Sequence, residues 1–188
     1  MTVVLHTCCG PCASACVPRL KEDGHEVTML FANSNIDTCE EFEKRKHEAE
    51  KLAKHDGVRF AALPYDHAEW LREVAAGYEK EPEKGKRCER CFRYNLAKTA
   101  EFARANGIES FTTSLTVSPH KVSQTIFAAA GSIEQSNNPN NRTISFLPYD
   151  FKKREGFKLS VKRVEELGLY RQSYCGCEFS KRETKVIP

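Results

Sequence analysis

The sequence contains no long hydrophobic run and no recognisable phosphate-binding loop. No apolar stretch approaches the roughly 18 residues of a transmembrane helix. The N-terminus lacks a charged region followed by a long apolar region, so no signal peptide is expected. Neither GxGxxG nor GxxxxGK[ST] occurs, which excludes a dinucleotide or Walker-type phosphate loop. The net charge of only +3 permits nucleic-acid binding without predicting it. We therefore expect a cytoplasmic protein that does not associate with membranes.

Cysteine is the unusual part of the composition, with nine in 188 residues. A reducing compartment does not sustain structural disulfides. An odd number leaves at least one thiol unpaired, and a chain of this length buries enough surface to fold without cross-links. A disulfide scaffold is therefore not expected, and we predict a single domain over residues 1–188.

Short apolar runs alternate with helical patterns along the chain. The predicted strands are residues 3–6, 26–32, 58–63, 111–117 and 143–147. The predicted helices are residues 12 onward, with Pro18 expected to kink or interrupt the helix, then 39–55, 66–75, 88–106, 121–133 and 159–167. A mobile loop is predicted at 77–87 and a polar turn at 136–142. This alternation predicts an α/β fold, with about five parallel strands, helices on both faces, and ligands at the carboxyl ends of the strands.

Seven of the cysteines fall into three groups at predicted ends of elements. These are Cys8, Cys9 and Cys12; Cys88 and Cys91; and Cys175 and Cys177. A CxxC pair at a helix N-terminus directs two thiols to one point, where the helix dipole favours the metal-binding thiolate. The three groups together predict a metal site at the carboxyl ends of the strands.

The number of thiols leaves the use of that site open. Structural zinc or one iron–sulfur cluster needs only about four ligands. Seven thiols therefore indicate a cluster with a second metal, or a cluster with free catalytic thiols, and iron–sulfur is favoured over zinc. Cys16 is predicted to lie in the core, and Cys39 to be an incidental thiol.

Seven motifs, in order along the chain, resemble the cobalamin-independent epoxyqueuosine reductases, the DUF208 family. They are CCGPC (8–12), NSNI (33–36), EFEKRK (41–46), GKRCERCFRYNL (85–96), FTTSLTVSPHK (111–121), YDFKKREGF (149–157) and LYRQSYCGCEFS (169–180). Ser34 and Asp37 stand where the loop of that family is expected to carry prolines.

The resemblance implies two-electron reduction of the epoxide of epoxyqueuosine to queuosine, at the wobble base of tRNA. It also implies an adenine-nucleotide-hydrolase-like (HUP-like) fold and a [4Fe–4S] cluster, with room for an adjacent mononuclear iron. The metal ligands would come from Cys8, Cys9, Cys12, Cys88, Cys91, Cys175 and Cys177. Whether Cys12 serves the cluster or the second iron stays open. The implied partners are tRNA carrying epoxyqueuosine and an electron donor such as ferredoxin or flavodoxin.

Removing an epoxide oxygen to leave an alkene needs two electrons and two protons. The candidate proton donors are Asp66, Tyr174 and His120, with Tyr65 as a further option. Substrate recognition would combine phosphate contacts with stacking on an exposed base. The candidate cations are Lys121, Lys152, Lys153, Arg90, Arg93 and Arg171, and the candidate stacking residues are Tyr170 and Trp70.

Three other functions compete with this interpretation. A sulfur transferase on the same fold would need an ATP site, and the missing phosphate loop counts against it. A zinc-stabilised RNA-binding module would hold zinc and no iron. A thiol–disulfide oxidoreductase would depend on Cys88 and Cys91 alone.

Overall fold

A five-stranded sheet forms the centre of the molecule. The computed structural model describes residues 1–134 and 144–181. The strands are β1 (Thr2–His6), β2 (Glu26–Phe31), β3 (Arg59–Ala62), β4 (Ser110–Thr113) and β5 (Ser145–Phe146). Their order is β3-β2-β1-β4-β5, and each neighbouring pair is parallel. The predicted parallel sheet is therefore confirmed. Because the chain crosses to opposite sides of β1, the crevice beside its carboxyl end is where such sheets bind ligands.

Helices cover both faces of the sheet. They are α1 (Gly10–Glu22), α2 (Cys39–Asp56), α3 (His67–Trp70), α4 (Lys86–Ala105), α5 (Ser123–Glu134) and α6 (Gly156–Leu167). Helix α1 packs against α2 and α6, while α4 packs against α5. A π-helical turn, Leu71–Ala75, continues α3, and 3-10 turns occupy Ser114–Val117 and Glu178–Ser180.

Strand β1 supplies side chains to both apolar cores. Val3 and Leu5 pack with α1 and α2 on one face, and Val4 packs with α4 and α5 on the other. Successive side chains of a strand point to opposite faces, so a strand covered on both faces is apolar throughout. This arrangement fixes the position of the residues that follow β1.

Helix α1 runs through Pro18 without interruption, so of the two predicted outcomes, a kink or an interruption, the interruption is wrong. A proline has no N–H, so the carbonyl one turn earlier loses its helical donor. That carbonyl belongs to Ser14, and it accepts a hydrogen bond from Arg163 Nη1 at 2.8 Å. Arg163 also forms an ion pair with Asp56. A distant side chain therefore replaces the missing backbone bond.

Strand β4 ends at Thr113, four residues before the predicted end at Val117. The hydroxyl of Thr113 accepts a hydrogen bond from Leu115 N at 3.1 Å, and the chain turns into a 3-10 helix. The prediction of a longer strand was wrong because this side-chain cap competes with continued strand pairing.

The remaining boundaries follow local signals. Thr38 caps α2 by accepting from Glu41 N at 3.2 Å. The predicted loop 77–87 ends at Gly85, because α4 begins at Lys86. The predicted turn 136–142 lies outside the described residues. Among the helices of 1–134 and 144–181, none combines the length and apolar character that crossing a bilayer requires.

Candidate metal centre

Two hydrogen bonds join the turn after β1 to the end of β4. The backbone N–H of Cys8 donates to Ser114 Oγ at 3.0 Å, and the serine hydroxyl is 3.3 Å from Cys8 Sγ, to which it donates. Since β1 and β4 are parallel neighbours, these bonds hold Cys8 at the carboxyl edge of the sheet, in the crevice between the two strands.

The first turn of α1 brings three sulfur atoms together. Cys9 is the N-cap, and its Sγ accepts from Cys12 N at 3.4 Å. A Cβ on Gly10 would lie 2.8 Å from Glu48 O, so glycine allows this turn to approach α2. The Sγ atoms of Cys8, Cys9 and Cys12 all lie within 4.8 Å of one another, and we call this group the β1 thiol cluster.

Hydrogen bonds among the three thiols, together with burial, determine which of them ionises. Hydrogen bonds from the Cys12 and Cys8 thiols hold the pKa of Cys9 well below its usual value. The pKa of Cys12 is raised, because its thiol hydrogen-bonds to Cys8 and Cys9 and is also buried. A hydrogen bond from Cys12 acts to lower the pKa of Cys8, but Cys9 and burial outweigh it and raise that pKa to about 12. One thiolate is therefore favoured without a bound metal, while a bound metal would ionise all three.

The other cysteine groups approach the same region from α4 and from the C-terminal segment. Cys91 and Cys175 line a cavity of about 380 Å³ together with Cys8 and Cys12. Cys88 and Cys175 line an adjacent space of about 50 Å³. Within residues 1–134 and 144–181, no second group of three ligand atoms is as compact as the β1 thiol cluster. Thiolate donors in this number suit iron or zinc.

A buried indole provides a further test of whether sulfur-ligated metal fits here. Trp70 packs in an apolar cluster with Cys91 and Cys177. Its side chain is 0% exposed, and among the described residues its Nε1 has no acceptor at full hydrogen-bond geometry. Burial raises the pKa of the Cys91 thiol well above its usual value, and a hydrogen bond from the Trp70 N–H acts to lower it. A thiolate or metal-bound sulfur would supply an acceptor for this N–H, so the site fits such a group. The prediction that Trp70 stacks on a base is wrong, because the side chain is fully buried.

The two remaining cysteines lie apart from these groups. Cys16 is fully buried in the core beneath α1, and its Sγ donates to Cys12 O at 3.4 Å. Its predicted place in the core is confirmed. Cys39 is exposed at the first position of α2.

A buried arginine, to which the sequence analysis gave no role, holds the start of α4. Arg87 is 2% exposed, and its Nη1 donates to the carbonyls of Tyr78 and Glu81, each at 2.7 Å. Its guanidinium carbon lies 4.4 Å from the centre of the Phe179 ring. Arg87 therefore ties loop 78–81 and the segment after Cys177 to the helix that carries Cys88 and Cys91.

A second buried arginine holds the C-terminal cysteines. Arg45, 1% exposed, pairs with Glu41 at 2.6 Å and donates to Cys175 O at 2.9 Å. Its guanidinium also lies over the Tyr174 ring at 4.9 Å. Helical spacing was the available signal, since Arg45 falls between buried Phe42 and Ala49 on one face of α2.

Hydrogen bonds order the loop in which Ser34 and Asp37 replace the expected prolines. Ser34 Oγ accepts from Asp66 N at 3.2 Å, and Asp37 accepts from Tyr174 OH at 2.8 Å. Burial acts to raise the pKa of Asp37, but hydrogen bonds from Lys181 and Tyr174 lower it overall. The polar residues therefore connect this loop to its neighbours.

The candidate proton donors are placed differently. His120 is exposed and lines both cavities. Tyr174 lines the larger cavity but donates its hydroxyl to Asp37, and its pKa is raised by burial and by that carboxylate. Asp66 is outside the cavity lining and caps α3 by accepting from Glu69 N at 2.7 Å.

Two of the predicted substrate-binding cations line the larger cavity, Lys121 and Arg171. Burial acts to lower the pKa of Lys121, but the charge that Cys175, Cys8 and Cys12 carry once they are ionised raises it overall. Lys121 thus remains protonated among the thiols.

The other predicted substrate-binding residues lie outside the lining of that cavity, namely Arg90, Arg93, Lys152, Lys153 and Tyr170. Arg90 donates to a backbone carbonyl of the preceding turn at 2.5 Å. Lys152 Nζ donates to the Lys121 carbonyl at 2.7 Å, and Tyr170 OH donates to Glu41 at 3.2 Å. Lys153 is exposed. Of these residues, Lys152 therefore contacts the backbone of Lys121 without lining the cavity.

Sequence comparisons associate the chain with one family. A family model described as "Epoxyqueuosine reductase QueH" matches residues 3–183. The protein of that name from Streptococcus pyogenes serotype M1 is 36% identical over 187 residues, covering 96% of this chain and 71% of the relative. The one from Thermotoga maritima is 34% identical over 187 residues, covering 98% of this chain and 92% of the relative.

Structural comparisons extend to distant proteins and concern the fold alone. The U34-tRNA thiolase NcsA from Methanococcus maripaludis, solved with its [4Fe-4S] cluster, aligns with a TM-score of 0.60 at 11% identity, covering 97% of this chain and 62% of the thiolase. A predicted subunit of tRNA methyltransferase from Methanocaldococcus jannaschii aligns with a TM-score of 0.55 at 14% identity, covering 90% of this chain and 89% of that one. The predicted HUP-like fold class is confirmed.

Proposed function

The chain belongs to the epoxyqueuosine reductase QueH family, and from this premise we propose that it reduces epoxyqueuosine to queuosine at the wobble position of tRNA. The observation that carries the proposal is the β1 thiol cluster, whose three sulfur atoms lie within 4.8 Å of one another. Cys8 and Cys12 of that cluster line a cavity of about 380 Å³. In the reaction, two electrons and two protons remove the epoxide oxygen as water and leave an alkene.

We assign the redox chemistry to a [4Fe–4S] cluster with an adjacent mononuclear iron. The proposed ligands are Cys8, Cys9, Cys12, Cys88, Cys91, Cys175 and Cys177. When bound, this centre supplies electrons singly and offers a Lewis acid to the epoxide oxygen. The support from this chain is the compact thiol group, the buried Trp70 N–H that acts on the Cys91 thiol, and Cys175 on the wall of the same cavity.

The other residues of the cavity provide charge and a proton. Lys121 carries positive charge toward the thiols, and it would stabilise negative charge that develops on the epoxide oxygen. His120 lines the cavity and is the proposed proton donor. Tyr174 orders the wall by donating its hydroxyl to Asp37.

The proposed macromolecular substrate is tRNA, in the cytoplasm. We propose that Arg171 and Lys153 contact phosphates around the anticodon loop; Arg171 lines the cavity and Lys153 is exposed on the turn before α6, which supports this role. The proposed electron donor is a ferredoxin or a flavodoxin. Cys175 is exposed, which would bring electrons close to the surface.

The test is an oxygen-free reaction of the iron- and sulfide-reconstituted protein with epoxyqueuosine tRNA and a strong reductant. Mass spectrometry of the digested tRNA is expected to show queuosine, which is lighter by one oxygen atom. No conversion by iron-replete protein contradicts the proposal. Gain of sulfur would identify a sulfur transferase, and stoichiometric zinc with tight RNA binding and no conversion would identify a binding module.

Cysteine variants connect this activity to the site. Cys9→Ala, Cys91→Ala and Cys175→Ala are each expected to lose visible colour, bound iron and conversion. Cys39→Ala is the matched control, since this exposed thiol lies outside the three groups. Loss of bound iron and of conversion in Cys39→Ala would show that the ligands are wrongly assigned.

A further inference from the structure

A large aromatic side chain is exposed beside the thiol-lined cavity. Phe157 lies in the first turn of α6, is 37% exposed, and lines this cavity together with Cys8 and Cys12. Leu159, on the same helix, is 38% exposed but does not line the cavity. Exposure of an aromatic ring forfeits the free energy of apolar burial. A ligand in the cavity could restore that burial by covering the Phe157 ring.

The backbone before Phe157 adopts an uncommon conformation. Arg154 and Glu155 are consecutive non-glycine residues with positive φ, 55° and 56°. A Cβ on Gly156 would lie 1.8 Å from Phe151 O, so only glycine fits the turn that follows. Left-handed non-glycine residues are unfavourable and cluster at functional sites. Here they form the turn that leads into Phe157.

An arginine fixed to α1 lies over this ring. The guanidinium carbon of Arg171 is 5.4 Å from the centre of the Phe157 ring. Arg171 Nη2 donates to Ser160 Oγ at 2.9 Å, and that hydroxyl donates to Pro11 O at 2.8 Å. Pro11 immediately precedes Cys12, so this chain of hydrogen bonds sets the distance between the ring and the thiols.

Aromatic rings and guanidinium planes are the groups on which proteins stack unpaired RNA bases. Resting on the proposed function, we propose that Phe157, together with Arg171, is the platform on which the wobble base stacks while its epoxide-bearing substituent enters the cavity. The stacking residues predicted from the sequence are placed elsewhere: Trp70 is buried, and Tyr170 is held by Glu41 outside the cavity lining.

Binding experiments with two RNAs test this role without depending on turnover. One anticodon stem-loop carries epoxyqueuosine, and the other is identical but abasic at the wobble nucleotide. Phe157→Leu keeps an apolar side chain without an aromatic face and is expected to weaken binding of the first RNA about 5- to 150-fold, the range that loss of one stacked base gives. Binding of the abasic RNA is expected to stay unchanged. Phe157→Tyr, which keeps the ring, is expected to bind both as the wild type does.

Leu159→Ala is the matched control, because this residue is equally exposed on the same helix. It is expected to bind both RNAs as the wild type does. The proposal is overturned if Phe157→Leu binds the modified RNA with normal affinity, or if its affinity for both RNAs decreases equally. A wild type that binds the two RNAs equally also overturns it. If stacking is found but iron-replete protein converts no epoxyqueuosine, the proposed reaction fails while the role of Phe157 stands.

Discussion

Replacing Arg87 by methionine should loosen the support of two cysteine groups at once. This nearly buried side chain donates to the carbonyls of Tyr78 and Glu81 at 2.7 Å and covers Phe179. A hydrogen bond from a charged donor contributes about 1.5–3 kcal/mol. Water can reach the carbonyls that the substitution leaves without a donor. We therefore expect the free energy of unfolding to decrease by about 2–4 kcal/mol in total, less than the sum over the lost hydrogen bonds. For a chain of this size, that lowers the melting temperature by about 4–16 °C.

Thermal unfolding of the reconstituted protein, followed by circular dichroism, measures this loss. Arg93→Met is the control, because Arg93 is an exposed arginine of the same helix, and its effect should be within about 0.5 kcal/mol. Arg87→Met should also release iron faster to a chelator, since loop 78–81 and the segment after Cys177 are no longer tied to α4. The reasoning is refuted if Arg87→Met melts and retains iron as Arg93→Met does.

Two further predictions concern stability away from the metal centre. Arg163→Met breaks a pair with Asp56 whose side chains are 12% and 7% exposed, and urea unfolding should show a loss of about 3–5 kcal/mol. Lys162→Met, at an exposed neighbour, should stay near the wild type, and equal losses would contradict this. Hydrogen bonds from Tyr94 and a nearby lysine lower the pKa of Glu69. The contribution of Glu69 to folding stability is therefore complete above the ordinary glutamate pKa, and it is lost as the pH decreases from that value through the lowered pKa. Urea midpoints across acidic pH should decline less steeply for Glu69→Gln, and an unchanged slope would contradict the assignment.

Helix ends that depend on neighbouring residues in the chain could be predicted from the sequence. The Thr38 cap sets the start of α2, and Gly168, with φ of 57°, ends α6. The uninterrupted α1 was not predictable in this way, because the donor that compensates for Pro18 is Arg163, 149 residues from the Ser14 carbonyl that it contacts.

The metal centre was likewise predictable from the sequence only in part. Cys8, Cys9 and Cys12 converge through the geometry of a single turn, which their spacing predicts. The roles of single side chains depend on tertiary packing, so Trp70 is buried and Lys121 faces the thiols although sequence alone indicated RNA contacts. Phe157 ends the motif YDFKKREGF, but no stacking role was predicted for it, because its exposure beside the cavity follows from tertiary structure. The resemblance to the epoxyqueuosine reductases is confirmed by the family match over residues 3–183.

The central claim is that the β1 thiol cluster holds the reaction centre. The most direct measurement is conversion of epoxyqueuosine tRNA by Cys9→Ala and Cys39→Ala, each reconstituted with iron and sulfide and reduced without oxygen. Cys9 is buried within the cluster, whereas Cys39 is exposed on α2. We predict queuosine at the wild-type rate from Cys39→Ala and none from Cys9→Ala. Conversion by Cys9→Ala at the wild-type rate would contradict the claim.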